Sequence, residues 1–167
     1  NEQIAFKDLK TTADGAPDVA GFEARRNEPS RDLLGDAQRQ WVGETLSRSK
    51  AAGRPWQIIG NQVIMARVKG PDIARMMPAE QVQQMVGSLP DDVRPQVEAA
   101  IQLFKLGLPF NLDSWDGYPA GRERLYETFA AAGVSPVVLA GDSHAFWVNE
   151  LHDRAGARRA IEFGTSS

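Results

Sequence analysis

The sequence has no cysteine and no long apolar run, and its charges are nearly balanced. The lack of cysteine excludes disulfide bonds, thiolate metal ligands and a cysteine nucleophile from these residues. Because a membrane-spanning helix needs about 20 consecutive apolar residues, we expect no membrane span. The formal net charge of −3 gives little attraction to nucleic acid, so we also expect no nucleic-acid-binding surface.

The composition of the 167 residues is that of a folded protein. Hydrophobic residues make up 42% of the chain and charged residues 25%, which excludes an intrinsically disordered chain. The length suits one domain or part of one. Because the chain begins with Asn1 instead of methionine and ends shortly after an apparent strand, we expect a piece of a longer protein.

Helix and strand patterns alternate in the first half of the chain. Residues 1–30 are polar and irregular. Apolar residues at helical spacing predict a helix over 36–52, and Gly53 suits its C-terminal cap. Residues 56–59 have the pattern of a short buried strand that ends at Gly60. A strand that follows a helix after a short link is typical of an α/β fold.

The same alternation returns in the second half. A helix is predicted over 120–132, with Pro119 suited to its first turn. The apolar run 136–140 predicts a buried strand. A short helix up to Leu151 and a strand over 159–163 complete the α/β pattern.

Residues 71–110 differ from the rest because prolines divide them into short helical pieces, the clearest over 94–106. Methionines in and just before this region suit an adaptable apolar surface. Two interpretations stay open. The region is either a helical insertion that packs an apolar stripe on the domain, or a mobile lid over a site.

The strongest candidate site is Gly141-Asp142-Ser143-His144, directly after the strand 136–140. If this segment is extended, Asp142 and His144 point to the same side. A carboxylate and an imidazole that converge there form half of a metal site, since three or more protein ligands usually hold a catalytic metal. The alternative is that Asp142 caps a following helix and His144 lies in a core.

Asn61 and the loop 113–119 provide candidate substrate-binding residues. Asn61 follows a strand, and sites in α/β sheets gather beyond the carboxyl ends of strands. Trp115, Asp116 and Tyr118 suit the wall of a substrate pocket. The structural alternatives are a turn-forming asparagine and a packed connector that Trp115 anchors to the core.

Four segments resemble, in order, the PhoD-like alkaline phosphatases of the calcineurin-like metallophosphoesterases. The resemblance is strongest at 141–147, and it extends over most of the chain from about Arg31 onward. The four segments are 31–41, 56–63, 115–120 and 138–151.

The resemblance implies a layered αββα sandwich, of which this chain would be the C-terminal half, in a periplasmic or secreted enzyme. Such enzymes hydrolyse phosphomonoesters and phosphodiesters at a centre of calcium and iron. Asp142 and His144 would be metal ligands, with His144 also in the catalytic machinery. Asn61 stands where many metallophosphoesterases have a histidine ligand. Because the family's earlier ligand blocks are absent from this sequence, we expect the fragment to be inactive alone.

Two other functions remain under consideration. Gly141-Asp142-Ser143 matches the nucleophile block of GDS-type serine esterases, with Ser143 as nucleophile and His152 as base. The late position of this block, and Asn149 where an acidic partner is expected, argue against that assignment. The chain could instead be a non-catalytic domain that binds a partner or forms a homodimer through residues 76–110.

Overall fold

The computed structural model describes residues 3–166 and has an α/β fold, as the sequence predicts. The chain folds into two compact units. The first comprises the described residues up to Ala66 together with those from Leu112 onward, and the second is Arg67–Asn111. The helices are α1 Val19–Arg26, α2 Asp36–Ala51, α3 Ile73–Met76, α4 Ala79–Gly87, α5 Arg94–Lys105 and α6 Pro119–Ala131, and the strands are β1 Ile58–Asn61, β2 Val137–Ala140, β3 Trp147–His152 and β4 Arg158–Gly164.

A mixed four-stranded sheet with the order β1-β2-β4-β3 forms the base of the first unit. Strands β1, β2 and β4 are parallel, with Asn61 opposite Ala140 and Ala140 opposite Gly164. Strand β3 is antiparallel to β4. The two are joined by a tight turn in which the Asp153 amide donates to the Ala157 carbonyl at 3.0 Å. The carboxyl ends of three strands therefore share one edge of the sheet.

One face of this sheet packs against helices α6 and α2. Helix α6 contributes Leu125, Tyr126 and Phe129, whose spacing places them on a single helical face. The strands contribute alternate residues, among them Val138 and Leu151, which are almost fully buried. The remaining members of the cluster are Leu46, Met65, Trp115, Ala132 and Ala160.

The opposite face of the sheet is apolar and exposed. Leu139, Phe163 and Val148 are neighbours in register on this face, and 47%, 45% and 75% of their surfaces are accessible. Ile58 on β1 is 63% exposed. Parallel strands are normally covered on both faces, so this surface is unusual for the strands that form it.

Two predictions for the strands were wrong. The sequence pattern predicts a helix up to Leu151, whereas Trp147–His152 is strand β3, with His152 at the strand end. The residues alternate between exposed Val148 and Glu150 and inward-facing Asn149 and Leu151, which is the two-residue period of a strand. The hairpin with β4 satisfies the backbone hydrogen bonds that a helix would have formed internally.

The predicted buried strand at 56–59 is an edge strand, Ile58–Asn61, because no further strand of the described residues pairs with its outer side. Ile58 is exposed on the uncovered face of the sheet, and Trp56, which precedes the strand, is exposed as well. The first 30 residues also contain more structure than their polarity indicates. Helix α1 begins after Asp18, whose carboxylate accepts from the Gly21 amide at 2.9 Å.

The second unit, Arg67–Asn111, consists of the three helices α3, α4 and α5. Its two ends meet where Lys69 bridges Pro109 and the Phe110 amide donates to the Val68 carbonyl at 2.8 Å. The rings of Phe104 and Phe110 lie 5.8 Å apart. Whether this unit acts as a packed insertion or as a lid stays a prediction.

Candidate functional site

The candidate site lies at the edge of the sheet where β1, β2 and β4 end. The residues that follow these strands are Gln62, Gly141 and Thr165. The Thr165 amide donates to the Ala140 carbonyl at 2.9 Å, which continues the pairing of β4 with β2 past the last strand residue. In α/β sheets ligands bind beyond such carboxyl ends, so the fold puts the predicted site where such sites occur.

Asp142 and His144 do not lie in an extended segment, which corrects the geometry expected from the sequence. Both have left-handed backbones, with φ of 52° and 51°. Aspartate and histidine tolerate this region better than most residues, yet such positions still cost on the order of 1–3 kcal/mol each. The Ser143 hydroxyl donates to the Ala145 carbonyl at 2.9 Å within this turn. In this turn, therefore, Asp142 and His144 both have a backbone conformation that is uncommon outside glycine.

The side chains of Asp142 and His144 are exposed and make no hydrogen bond or ion pair with other residues in the range 3–166. A carboxylate and an imidazole at this edge are suitable ligands for a cation. Within the described residues, however, no group of three or more histidine, cysteine, aspartate or glutamate side chains could hold a metal ion. These two residues can supply only part of a coordination sphere.

The side chain of Asn61 makes hydrogen bonds inside the protein. Its amide nitrogen donates to the Val63 carbonyl at 2.6 Å, and its oxygen accepts from the Trp115 indole nitrogen at 3.2 Å. Asn61 thus stabilises the turn that follows β1, as the structural interpretation anticipates. An amide nitrogen has two hydrogens, so a direct role in substrate binding stays a prediction.

Trp115, Asp116 and Tyr118 are buried, with at most 9% of each residue exposed. The Asp116 carboxylate accepts from Arg122 at 2.8 Å, and the guanidinium of Arg31 lies 5.0 Å from the centre of the Tyr118 ring. These contacts make the loop a packed connector. Contact of these three side chains with a substrate stays a prediction.

The sequence interpretation missed Glu162, a fully buried carboxylate on β4. It accepts from the backbone amides of Met65 at 2.6 Å and Ala66 at 3.1 Å, and from the side-chain amide of Asn149 at 3.0 Å. Burial raises the pKa of Glu162, an effect that these hydrogen bonds and the charge of Arg122 oppose. A signal was available, because Glu162 alternates with Phe163 and shares the inward face with Ala160.

The burial of Arg122 on helix α6 was also not predicted from the sequence. Only 2% of it is exposed, and it donates to the Met65 carbonyl at 3.0 Å as well as to Asp116. Its position, three and seven residues before Leu125 and Phe129, is on the buried face of α6. Helical spacing could therefore have predicted the burial of Arg122.

The geometry excludes a serine-esterase site in which Ser143 is the nucleophile and His152 is its base. Ser143 lies at the carboxyl edge of the sheet, and His152 lies at the far end of antiparallel β3. A strand of this length spans roughly 17 Å, whereas a nucleophile and its base must be in hydrogen-bond contact. His152 instead contacts Glu150, with 3.3 Å from its Nδ1 to the backbone oxygen.

Helices in the described part of the chain are too short or too polar to cross a membrane. This finding agrees with the lack of a long apolar run in the sequence.

Comparison with known proteins identifies the family. The profile of the family described as PhoD-like phosphatase matches residues 3–167. Alkaline phosphatase D of Bacillus subtilis (strain 168) is 29% identical over 125 residues, which cover 74% of this chain and 15% of the relative. No solved structure matches significantly. The chain belongs to the PhoD-like phosphatase family, whose members are phosphatase-type hydrolases, and it spans about 15% of the length of this curated relative.

Proposed function

We propose that this chain is part of the catalytic domain of a metal-dependent phosphatase that hydrolyses phosphomonoesters and phosphodiesters, and that Asp142 and His144 supply metal ligands. The observation that carries this proposal is the turn at the carboxyl edge of the sheet. In this turn Asp142 and His144 have left-handed backbone conformations. Their side chains, a carboxylate and an imidazole, are exposed to solvent and have no hydrogen-bond or ion-pair partner among residues 3–166. The family assignment supports the same chemistry.

The side chains of Asp142 and His144 are of the chemical types that calcium and iron bind. Calcium prefers oxygen ligands such as the Asp142 carboxylate, and iron accepts both carboxylate and imidazole, so His144 suits an iron site. A cation bound there would polarise a phosphoryl oxygen and lower the pKa of a bound water. A third histidine, aspartate or glutamate ligand would come from outside residues 3–166, because none of the described residues of these types joins this pair.

The phosphate ester would lie beside Gln62 and Gly141, at the same edge. Asn61 can offer its second amide hydrogen to a phosphate oxygen while it keeps its bond to Val63. Trp115, Asp116 and Tyr118 would act from behind Asn61, since Trp115 holds the Asn61 oxygen. In this arrangement the loop 113–119 fixes one side of the substrate position.

The exposed sheet face supports the proposal that the chain is one layer of a larger sandwich. Its apolar residues Leu139, Val148 and Phe163 lie side by side, and a second sheet from the same protein would bury them. A chain without that layer, and with two metal ligands, would be inactive alone. A homodimer through an exposed apolar surface is the alternative.

The decisive experiment compares this chain with a longer protein that contains it, using phosphomonoester and phosphodiester chromogenic substrates with calcium and iron added. We expect turnover only in the longer protein, and loss of about a hundredfold or more in its Asp142→Ala and His144→Ala variants. His152→Ala is the matched control because it changes the other histidine. Full activity in the Asp142→Ala variant would contradict the proposal.

A further inference from the structure

Residues 62–66, which follow strand β1, border the candidate site, and we call them the β1-exit segment. The Gln62 carbonyl oxygen lies 3.8 Å from the point that a Cβ on Gly141 would occupy. Ile64, further along the segment, packs directly on the backbone of Gly164 and leaves no room there for a side chain. The β1-exit segment therefore lies beside Gly141, the residue after β2, and packs on Gly164 at the end of β4.

Buried polar groups hold this segment from two sides. On the side of the sheet, Glu162 accepts from the amides of Met65 and Ala66 at 2.6 and 3.1 Å. On the side of helix α6, Arg122 donates to the Met65 carbonyl at 3.0 Å. The backbone N–H and C=O of Met65 are thus both bound by charged side chains that are themselves almost fully buried.

Glu162 has a different position from the other groups in this network because it reaches three elements at once. It lies on β4, accepts from Asn149 on β3, and binds the β1-exit segment. A buried charge is a poor way to gain stability, since its desolvation offsets much of what its hydrogen bonds contribute. Its hydrogen bonds do, however, specify one position for the segment.

We propose that Glu162 is a positioning residue, which fixes the β1-exit segment against Gly141 and thereby sets the backbone of the Asp142–His144 turn. The relevance of this role to catalysis rests on the proposed function. The physical path is short. Gly164 carries the contact with Ile64, Thr165 follows it and is hydrogen-bonded to Ala140 at 2.9 Å, and Gly141 comes next.

The test is amide hydrogen exchange and backbone chemical shifts by NMR in Glu162→Gln. A glutamine presents one acceptor oxygen and an NH2 group in place of two acceptors. We expect exchange at Met65 and Ala66 to become about tenfold faster, with shift changes at Gly141 and in the Asp142–His144 turn. Exchange in helix α2 should stay unchanged.

Glu150→Gln is the matched control, because Glu150 lies on the neighbouring strand and is exposed. Asn149→Ala is a milder second variant in case Glu162→Gln does not fold, since it removes only one donor to Glu162. It should move the same amides by a smaller amount. A uniform increase of exchange over the whole chain, or an unchanged turn in both variants, would overturn the positioning role.

This outcome does not depend on metal or substrate. If a longer protein showed no phosphatase activity while Glu162→Gln altered the turn as expected, the proposed function would fail and the positioning role would stand. If activity were present and the turn unaffected, the positioning role alone would fail.

Discussion

Arg122 and Asp116 form an ion pair at 2.8 Å in which the two side chains are only 2% and 5% exposed. The same Arg122 nitrogen also donates to the Met65 carbonyl. The pair therefore joins helix α6 to the connector before it and to the β1-exit segment. Asp116→Ala would leave the buried Arg122 guanidinium without this carboxylate partner.

We accordingly predict that Asp116→Ala lowers the free energy of unfolding by about 3–5 kcal/mol. Urea denaturation followed by tryptophan fluorescence measures this change. The exposed pair of Arg158 and Glu150, at 3.0 Å, provides the comparison. Glu150→Ala should cost at most about 1 kcal/mol, and equal effects of the two substitutions would contradict the buried pair's importance.

The raised pKa of Glu162 predicts a pH-dependent stability. Because burial raises the pKa of Glu162 above its ordinary value of 4.5, the folded state keeps the proton longer than the unfolded state does. The stability that protonated Glu162 contributes to the folded state is fully present below pH 4.5 and is lost as the pH rises through the folded-state pKa. The stability of the wild type should therefore fall relative to Glu162→Gln as pH increases above about 4.5.

Chemical denaturation of both proteins over a range of pH values measures this difference. Glu150→Gln serves as the control because Glu150 is exposed. If the wild type instead became more stable relative to Glu162→Gln as the pH rises, the predicted direction of the pH dependence would be wrong.

Two glycines in the sheet should respond oppositely to alanine. A Cβ on Gly164 would collide with Ile64 and come within 3.0 Å of the Trp147 Cβ, so we expect Gly164→Ala to cost about 1–3 kcal/mol. Nothing lies within 4 Å of a Cβ on Gly60, and Gly60→Ala should stabilise by roughly 0.5 kcal/mol. The free energies of unfolding of both variants test this prediction. A destabilised Gly60→Ala variant would contradict the open space that the structure shows around Gly60.

Two substitutions of Asp142, which has a left-handed backbone, should differ in their effect on stability but not in their effect on activity. Asp142→Gly should be more stable than Asp142→Ala by about 1 kcal/mol, because glycine adopts a φ of 52° without steric cost. Both variants should lose phosphatase activity in a longer protein. Thermal denaturation and turnover measured together test this, and equal stabilities would mean that the backbone relaxes at this position.

The exposed sheet face should make this chain self-associate. We expect binding of a hydrophobic dye and a concentration-dependent dimer, because Val148 and its neighbours form a continuous apolar surface. Val148→Lys should reduce both effects. Gln38→Lys adds the same charge at an exposed position on helix α2 and should change neither. Sedimentation velocity of a wild type that is monomeric at all concentrations would contradict the prediction.

Local patterns in the sequence were enough to predict several elements. Helix α2 was expected at 36–52 and is found at Asp36–Ala51, and strand β4 was expected at 159–163 and is found at Arg158–Gly164. In helix α2, the apolar residues Trp41, Val42 and Leu46 recur at helical spacing, and Gly53 follows the end of the helix. Strand β3 was missed because its hairpin partner, and not its own composition, determines its conformation.

The sequence by itself determined the α/β class and the place of Asp142 and His144 just after a strand, because these depend on residues close together along the chain. It also indicated the family, because four motifs occur in the family's order along the chain. Only the tertiary structure decided that these two residues are left-handed, that Glu162 and Arg122 are buried, and that one sheet face is bare. The burial of Glu162 and Arg122 arises from contacts between distant segments, such as that of Glu162 with Met65, 97 residues away along the chain. The free energy of such contacts depends on burial and geometry, which no local pattern contains.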